Sequence, residues 1–343
     1  MAEFEDIASY AAIGDGRTVA LVGRSGAVDF LSLPTLHAPT VFAALLDPAR
    51  GGRFVLAPEE EAEVERRYVE HTNVLETTFR TEHGAVRVTD ALCLQVGGLL
   101  PWVELARRVE GLAGEVALRW RVEPRFDWGR ATPRISRRNG VPVADCDGLQ
   151  LAVHAWDAGD PAVEDGAVSG TFTARARARA LLTLCCTHEQ PIPMPARDEV
   201  ERRLDQTVEH WRRWLDDCCY DGDWEEEVHR SALALKLLVY APSGAIAAAP
   251  TTSLPERLGG DKNYDYRYAW VRDTAFTLDA LMRLGLPAQV HESFSFLLRA
   301  VRHTAPDLHP FYSLEGHAPE RSEELPLRGY RDSRPVRYGN AAR

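Results

Sequence analysis

Short apolar runs broken by Gly, Pro and Asp dominate the first 190 residues. Residues 18–22 and 28–31 flank Gly23-Arg24-Ser25-Gly26, the pattern of a β-hairpin. Further strands are predicted at 53–56, 74–79, 85–92, 103–109, 116–122, 149–154 and 178–184. So many short strands at such spacing predict an antiparallel sandwich. Residues 173–179 alternate strictly between arginine and small side chains after Thr173, which predicts Arg175, Arg177 and Arg179 on one solvated sheet face.

The period changes after Pro191-Ile192-Pro193-Met194-Pro195, a stiff linker. Asp198 is placed to N-cap a helix whose apolar residues Val200, Leu204, Val208, Trp211 and Leu215 recur every 3.6 positions. A second helix is predicted over 224–240, with Val228, Ala232, Leu235 and Leu238 on a broad face and Pro242-Ser243-Gly244 ending it. Helices follow at 273–284, closed by Gly285, and from Pro287 to about residue 303. Between them, residues 245–270 form a long irregular stretch, which inside a compact domain is usually functional. The segment 304–343 shows no clear helix or strand. The chain therefore divides into a β-sandwich domain (1–195), a linker helix (196–222) and a helical domain (223–343).

Composition narrows the function. A chain of 343 residues, 45% hydrophobic and 27% charged, is an ordinary globular sequence with room for two domains. Its net charge of −11 argues against nucleic acid or an anionic membrane as partner, since both select basic surfaces. No apolar run approaches the ~20 residues of a membrane span. The acidic N-terminus lacks the basic and apolar regions of a signal peptide. Cys93, Cys146, the pair Cys185 and Cys186, and the pair Cys218 and Cys219 match neither a metal-binding nor a disulfide pattern, so reduced thiols in a cytoplasmic protein are expected. No ligand spacing implies a metal or an organic cofactor.

The candidate chemistry lies in the segment 259–273. It gathers Tyr264, Tyr266, Tyr268 and Trp270 with Arg267, Arg272, Asp261, Asp265 and Asp273 just before a periodic helix. Flat rings match sugar faces, while a guanidinium fork and a carboxylate bond hydroxyls. Tyr264, Tyr266, Arg267, Trp270, Arg272 and Asp273 are thus the candidate ligand residues, with Asp273 also read as the helix N-cap. The arginines, with Arg331, Arg334 and Arg337 of the tail, suit an anionic ligand as well.

Residues 238–256 (Leu238-Val239-Tyr240-Ala241-Pro242-Ser243-Gly244 through Thr251-Thr252-Ser253-Leu254-Pro255-Glu256), then Gly259-Gly260 and residues 263–273, resemble glycoside hydrolase family 15. That family includes glucoamylases, glucodextranases and bacterial trehalases. Blocks at 13–15, 29–34, 42–46, 75–79, 124–130 and 329–342 extend the resemblance over nearly the whole chain. It implies an α+β multidomain fold, an antiparallel β-supersandwich followed by the first part of an (α/α)6 toroid. It also implies inverting hydrolysis of an α-glucosidic bond, with an acid and a base carboxyl roughly 6.5–9.5 Å apart. Tyr266, Trp270, Arg272 and Asp273 would line the pocket for the non-reducing-end sugar.

The departures bear on activity. Both catalytic glutamates of the family lie beyond Arg343. Trp224-Glu225 opens the first toroid helix and does not take their role, and Glu315, Glu320, Glu323, Glu324 and Asp332 fall in a solvated acidic loop. Phe30 stands where relatives have Trp, and Thr35-Leu36-His37 replaces Arg-Phe-Asp. About three helices follow residue 223 where a toroid has twelve, so Val228, Leu235, Leu278, Leu281, Phe294 and Leu298 need cover. Three accounts are open: a fragment of a longer reading frame, one subunit of a split enzyme, or a rebuilt fold whose helix faces are covered by homodimerisation; the start at Met1 and the charged end at Arg343 fit a short gene. The expectation is the substrate-binding half of a split enzyme, a heterodimer whose second polypeptide completes the toroid. One alternative is a heteromeric enzyme repurposed for elimination or cyclisation with an anionic leaving group; another is a non-catalytic carbohydrate-binding subunit.

Overall fold

The computed structural model describes residues 4–94, 100–252, 254–255, 257–318 and 321–339. Its first fifteen strands are β1 (Ala11–Gly14), β2 (Val19–Val22), β3 (Ala27–Ser32), β4 (Thr40–Phe42), β5 (Arg53–Pro58), β6 (Glu63–Tyr68), β7 (Leu75–Arg80) and β8 (Gly84–Leu92), then β9 (Val103–Glu123), β10 (Arg134–Arg138), β11 (Val141–Cys146), β12 (Leu149–Trp156), β13 (Ala162–Glu164), β14 (Ala167–Arg175) and β15 (Arg179–His188). They form one continuous antiparallel sheet folded over itself at β9. The first half of β9 pairs with β8 and β15, the second half with β5 and β14.

One strand thus belongs to two layers, where the sequence predicts two separate strands. The corner falls at Gly111 and Gly114. A Cβ on Gly111 would lie 2.0 Å from the Arg175 carbonyl oxygen, and one on Gly114, whose φ is +58°, would lie 2.0 Å from that of His83. Leu105 and Val109 from one half and Val116, Leu118 and Trp120 from the other enter the same core between the layers. Fully burying each such side chain contributes roughly 1.5–3 kcal/mol.

The predicted arginine row does not form. Residues 176–178 make the turn between β14 and β15, with Arg177 at φ +69°. Arg175 and Arg179 pair instead with Glu115 and Glu110 across β9. Strands β1, β4, β6, β10, β11 and β13 are not among the predicted ones; β6 and β10 are largely exposed, with Val64, Tyr68 and Ile135 half-buried against the core.

After a single turn, α1 (Phe126–Gly129), the longer helices are α2 (Arg197–Asp216), α3 (Glu225–Leu238), α4 (Val271–Arg283) and α5 (Pro287–Thr304). Helix α2 begins one residue before Asp198, and Glu199 rather than Asp198 accepts the Ala196 N–H, at 3.0 Å. Its apolar stripe lies on the outside of the sandwich, where Val200, Leu204, Trp211 and Leu215 join Ala106 and Leu181. Within that contact Arg203 donates to both oxygens of Glu104, at 2.8 and 2.6 Å, and Glu104 has no exposed surface.

The segment after residue 304 is not featureless. It holds short strands at Phe311–Tyr312, Ser322–Glu324 and Arg337–Gly339. Leu325, Leu327, Tyr330 and Val336 pack against Phe30, Leu45 and Trp128 of the sandwich. The end of the chain therefore folds back across the first domain. Of the helix residues expected to need cover, Leu281 is buried, while Phe294 and Leu298 are 51% and 56% exposed; Phe276 and Met282 are exposed beside them on α4. No helix among the described residues is long and apolar enough to cross a membrane. The six cysteines are free thiols.

Arg203→Met is expected to cost about 3–5 kcal/mol, because it leaves Glu104 as an unpaired buried charge. The double variant Glu104→Met/Arg203→Met should recover much of that loss. Urea denaturation midpoints of the three proteins check both statements.

Candidate functional site

The segment predicted as an irregular loop is an extended strand-like run. The carbonyls of Tyr266 and Tyr268 accept the N–H groups of Ala249 and Ala248, at 3.1 and 2.9 Å. Asp265 bridges Thr252, and Ala269–Trp270 pairs with Phe311–Tyr312. Successive side chains on such a backbone point to opposite sides. Asn263, Asp265, Arg267 and Ala269 are all 2% exposed or less, whereas Tyr264, Tyr266, Tyr268 and Trp270 are half-buried. Four rings therefore share the accessible side of one strand. The sequence carries this signal as strict alternation, Asn-Tyr-Asp-Tyr-Arg-Tyr-Ala-Trp. It does not read as a buried strand because the members facing inward are mostly polar.

The rings are arranged for contact. Trp270 packs on Phe311 with centroids 4.6 Å apart, Tyr266 lies 6.4 Å from Trp270, and Tyr268 meets Phe311 edge-on at 5.7 Å. Helix α4 starts directly after Trp270, which takes the N-cap position. Asp273 is thus in the first turn and does not cap the helix. Arg272 is 73% exposed at its side chain; its Nη2 lies 3.4 Å from Asp273 Oδ2, and its Cζ is 6.0 Å from the Trp270 ring. Trp270 Nε1 is buried without a hydrogen-bond partner in the protein, and Asp273 Oδ2 is held by the ion pair with Arg272. A ring N–H and a carboxylate with spare bonding capacity thus stand together at one helix start, beside the exposed guanidinium of Arg272.

Arg267 is placed differently from the other candidates. It is fully buried and directed away from the aromatic side. Its Nε and Nη2 donate to the two oxygens of Asp265, at 2.9 and 2.8 Å. Its Nη1 donates to Ser32 Oγ, the Leu36 carbonyl and the Ala38 carbonyl, at 2.9, 2.9 and 2.7 Å. Burial works against its charge, but Asp265 outweighs burial and holds the guanidinium above its ordinary pKa. With its donors engaged inside the protein, Arg267 is not available to grip a ligand. Arg331 pairs with Asp6 at the other end of the chain, so neither it nor Arg267 joins Arg272 in an anion site.

A cleft of about 1120 Å³ opens beside the aromatic strand, lined in part by Tyr268, Glu315, His317, Arg321, Glu323 and Tyr338. Two of the late acidic residues therefore face a concavity. Glu323 pairs with Arg130 at 2.9 Å, and Glu315 lies 3.6 Å from His37. That contact brings the divergent loop Thr35-Leu36-His37 to the wall of the cleft. His37 also sits edge-on to Tyr240, 5.4 Å between centroids. Burial lowers the pKa of His37 and Arg267 adds to this, while Glu315 opposes both. Among the described residues no three His, Cys, Asp or Glu side chains gather closely enough to hold a metal ion. Met1, Ser253, Glu256, Glu320, Asn340, Ala341, Ala342 and Arg343 lie outside the described residues.

A large antiparallel sandwich that passes through one helix into a helical region headed by an aromatic strand defines a two-part α+β protein. Comparison with known proteins makes this specific. The family model described as "Trehalase-like, N-terminal" matches residues 2–211, and that of "Glycosyl hydrolases family 15" matches residues 222–343. The chain belongs to glycoside hydrolase family 15, with a trehalase-like N-terminal region. It is 32% identical to a trehalase of Thermoplasma acidophilum over 94% of this chain and 55% of that protein. It is 34% identical to a trehalase of Mycolicibacterium smegmatis, over 99% and 54%. With trehalase 1 of Sulfolobus acidocaldarius it shares 32% identity, over 96% and 55%. The chain spans about half the length of the curated relatives it matches.

Burial depresses the pKa of His37, and likewise of His154 and His210, below the ordinary 6.5. Below pH 6.5 the unfolded state then binds more protons than the folded one. Stability is therefore full above the ordinary value and is lost as pH falls through the depressed folded values. Melting temperatures between pH 8 and pH 5 should fall on the acid side, with a shallower slope in His37→Gln.

Proposed function

We propose that this chain is the substrate-binding half of an inverting α-glucosidase of trehalase type. A second polypeptide supplies the remaining helices of an (α/α)6 toroid together with the acid and base glutamates. In this arrangement residues 1–195 are the sandwich domain, 196–222 the linker helix and 223–343 the first part of the toroid. The observation that carries this reading is the start of α4. There Trp270 Nε1, without a hydrogen-bond partner in the protein, and the Asp273 carboxylate stand beside the exposed fork of Arg272 and the rings of Tyr266 and Trp270.

A glucosyl unit offers each of these groups a partner. A ring oxygen or hydroxyl can accept from Trp270 Nε1, a hydroxyl can donate to Asp273, and Arg272 can bridge two neighbouring oxygens. The aromatic faces stack on the apolar face of the sugar. Holding the non-reducing unit in this way fixes the scissile bond between the two carboxyls of the completed toroid. One of them protonates the leaving oxygen while the other draws a proton from water on the opposite face. The exposed Phe276, Met282, Phe294 and Leu298 favour further helices against α4 and α5, since so much apolar side chain is rarely left in water. The free thiols and the absence of a membrane-crossing helix among the described residues accord with a cytoplasmic setting.

The chain alone is expected to hydrolyse neither trehalose nor maltose. Co-assembled with a polypeptide carrying the later helices and both glutamates, it should release β-glucose. Arg272→Ala should lower that rate on the order of 100-fold, the equivalent of about 3 kcal/mol in charge-assisted hydrogen bonds, without shifting the melting temperature by more than a few degrees. A stable complex that leaves both disaccharides intact would remove the hydrolytic reading and leave a carbohydrate-binding subunit.

A further inference from the structure

A strand presents its rings usefully only if its register and twist are held. Arg267 holds both from behind the aromatic row. It lies between Tyr266 and Tyr268 with its side chain on the opposite side, 1% exposed. Three separate segments close round it. Ser32, Leu36 and Ala38 of the sandwich accept from Nη1; the Trp128 ring of α1 lies 4.8 Å from Cζ; the Tyr338 ring lies 5.6 Å from it. Asp265, two positions earlier on the same strand, takes the remaining donors. Only a planar fork can meet a carboxylate on one edge and a cluster of oxygens on the other, so a lysine here would keep the charge and lose the geometry.

We propose that Arg267 is a positioning residue. It touches no ligand, and through the strand backbone it sets where Tyr266 and Trp270 stand, so that the sandwich segment 32–38 becomes part of the sugar-binding apparatus. The proposal rests on Tyr266 and Trp270 being the ligand wall. The reach of the effect is defined by the hydrogen bonds of Ala248 and Ala249 to Tyr268 and Tyr266, which report the strand's position directly.

The test compares the full chain with its Arg267→Lys variant by hydrogen exchange and by titration with maltose and trehalose. The amides of Ala248 and Ala249 should exchange about tenfold faster or more, while those of β9 keep their protection. Affinity for the disaccharides should fall by about tenfold or more, a loss of the positioned wall rather than of a contact. Exchange and affinity both within about twofold of the parent would overturn the proposal, as would equal acceleration throughout β9, the mark of a purely global stabiliser. If the parent chain binds neither sugar, the glucosidase reading fails on that count and the exchange comparison alone decides this one. If Arg267→Lys does not fold, Ser32→Ala removes a single acceptor. It should give the same local pattern at about threefold, and no change at Ala248 and Ala249 would again overturn the proposal.

Discussion

A charge taken out of water must be met by an opposite charge and by hydrogen bonds, or the fold loses several kcal/mol. This chain applies that constraint where its helical part meets the sandwich. Glu104 on β9 receives Arg203 of α2, and Asp265 with the segment 32–38 receives Arg267. Apolar packing alone tolerates sliding, because one methyl group replaces another at little cost. A bidentate guanidinium does not, because a shift of an ångström breaks several directional bonds together. The two pairs therefore act as pins for surfaces that hydrophobic contact would leave loosely registered.

The pins work because the sandwich gives them something rigid to hold. Strand β9 runs through both layers, so a side chain fixed to its first half is referred to the whole β core. Helix α2 is anchored there. The returning tail closes the other side by burying Leu325, Leu327 and Tyr330 against Trp128 and Phe30. The aromatic strand 263–270 lies between these supports, and helix α4 begins where it ends. Arg272 and Asp273 owe their place to contacts made by residues far from them in sequence.

Membership in glycoside hydrolase family 15 sits comfortably with this construction. The family resemblance rests on blocks that turn out to be structural as much as chemical. Arg267 and Asp265 belong to the motif as fully as Trp270 and Arg272 do, yet they point into the protein. A motif in a strand alternates between two duties, and the residue types alone do not say which duty each letter has.

Much was legible in the sequence. Apolar alternation predicts most strands of the sandwich, the 3.6-residue stripe predicts α2, and the pairing of rings with charges predicts the segment from which the site is built. Strands β1 and β4 are buried and escape prediction for their brevity, three or four residues each; other features stay hidden for a different cause. Strands β6 and β10 are mostly polar, the corner of β9 looks like a break because it contains glycines, and the row from Tyr264 to Trp270 looks like a loop because its inward residues are polar. Local pattern equates polar with exposed, and that equation fails wherever a distant partner satisfies the polar group. The sequence by itself determined the longer strands of the sandwich, the helices and the segment that gathers rings with charges. Only the tertiary structure decided which side of the aromatic strand faces inward, because that depends on acceptors at Ser32, Leu36 and Ala38, more than 200 residues away.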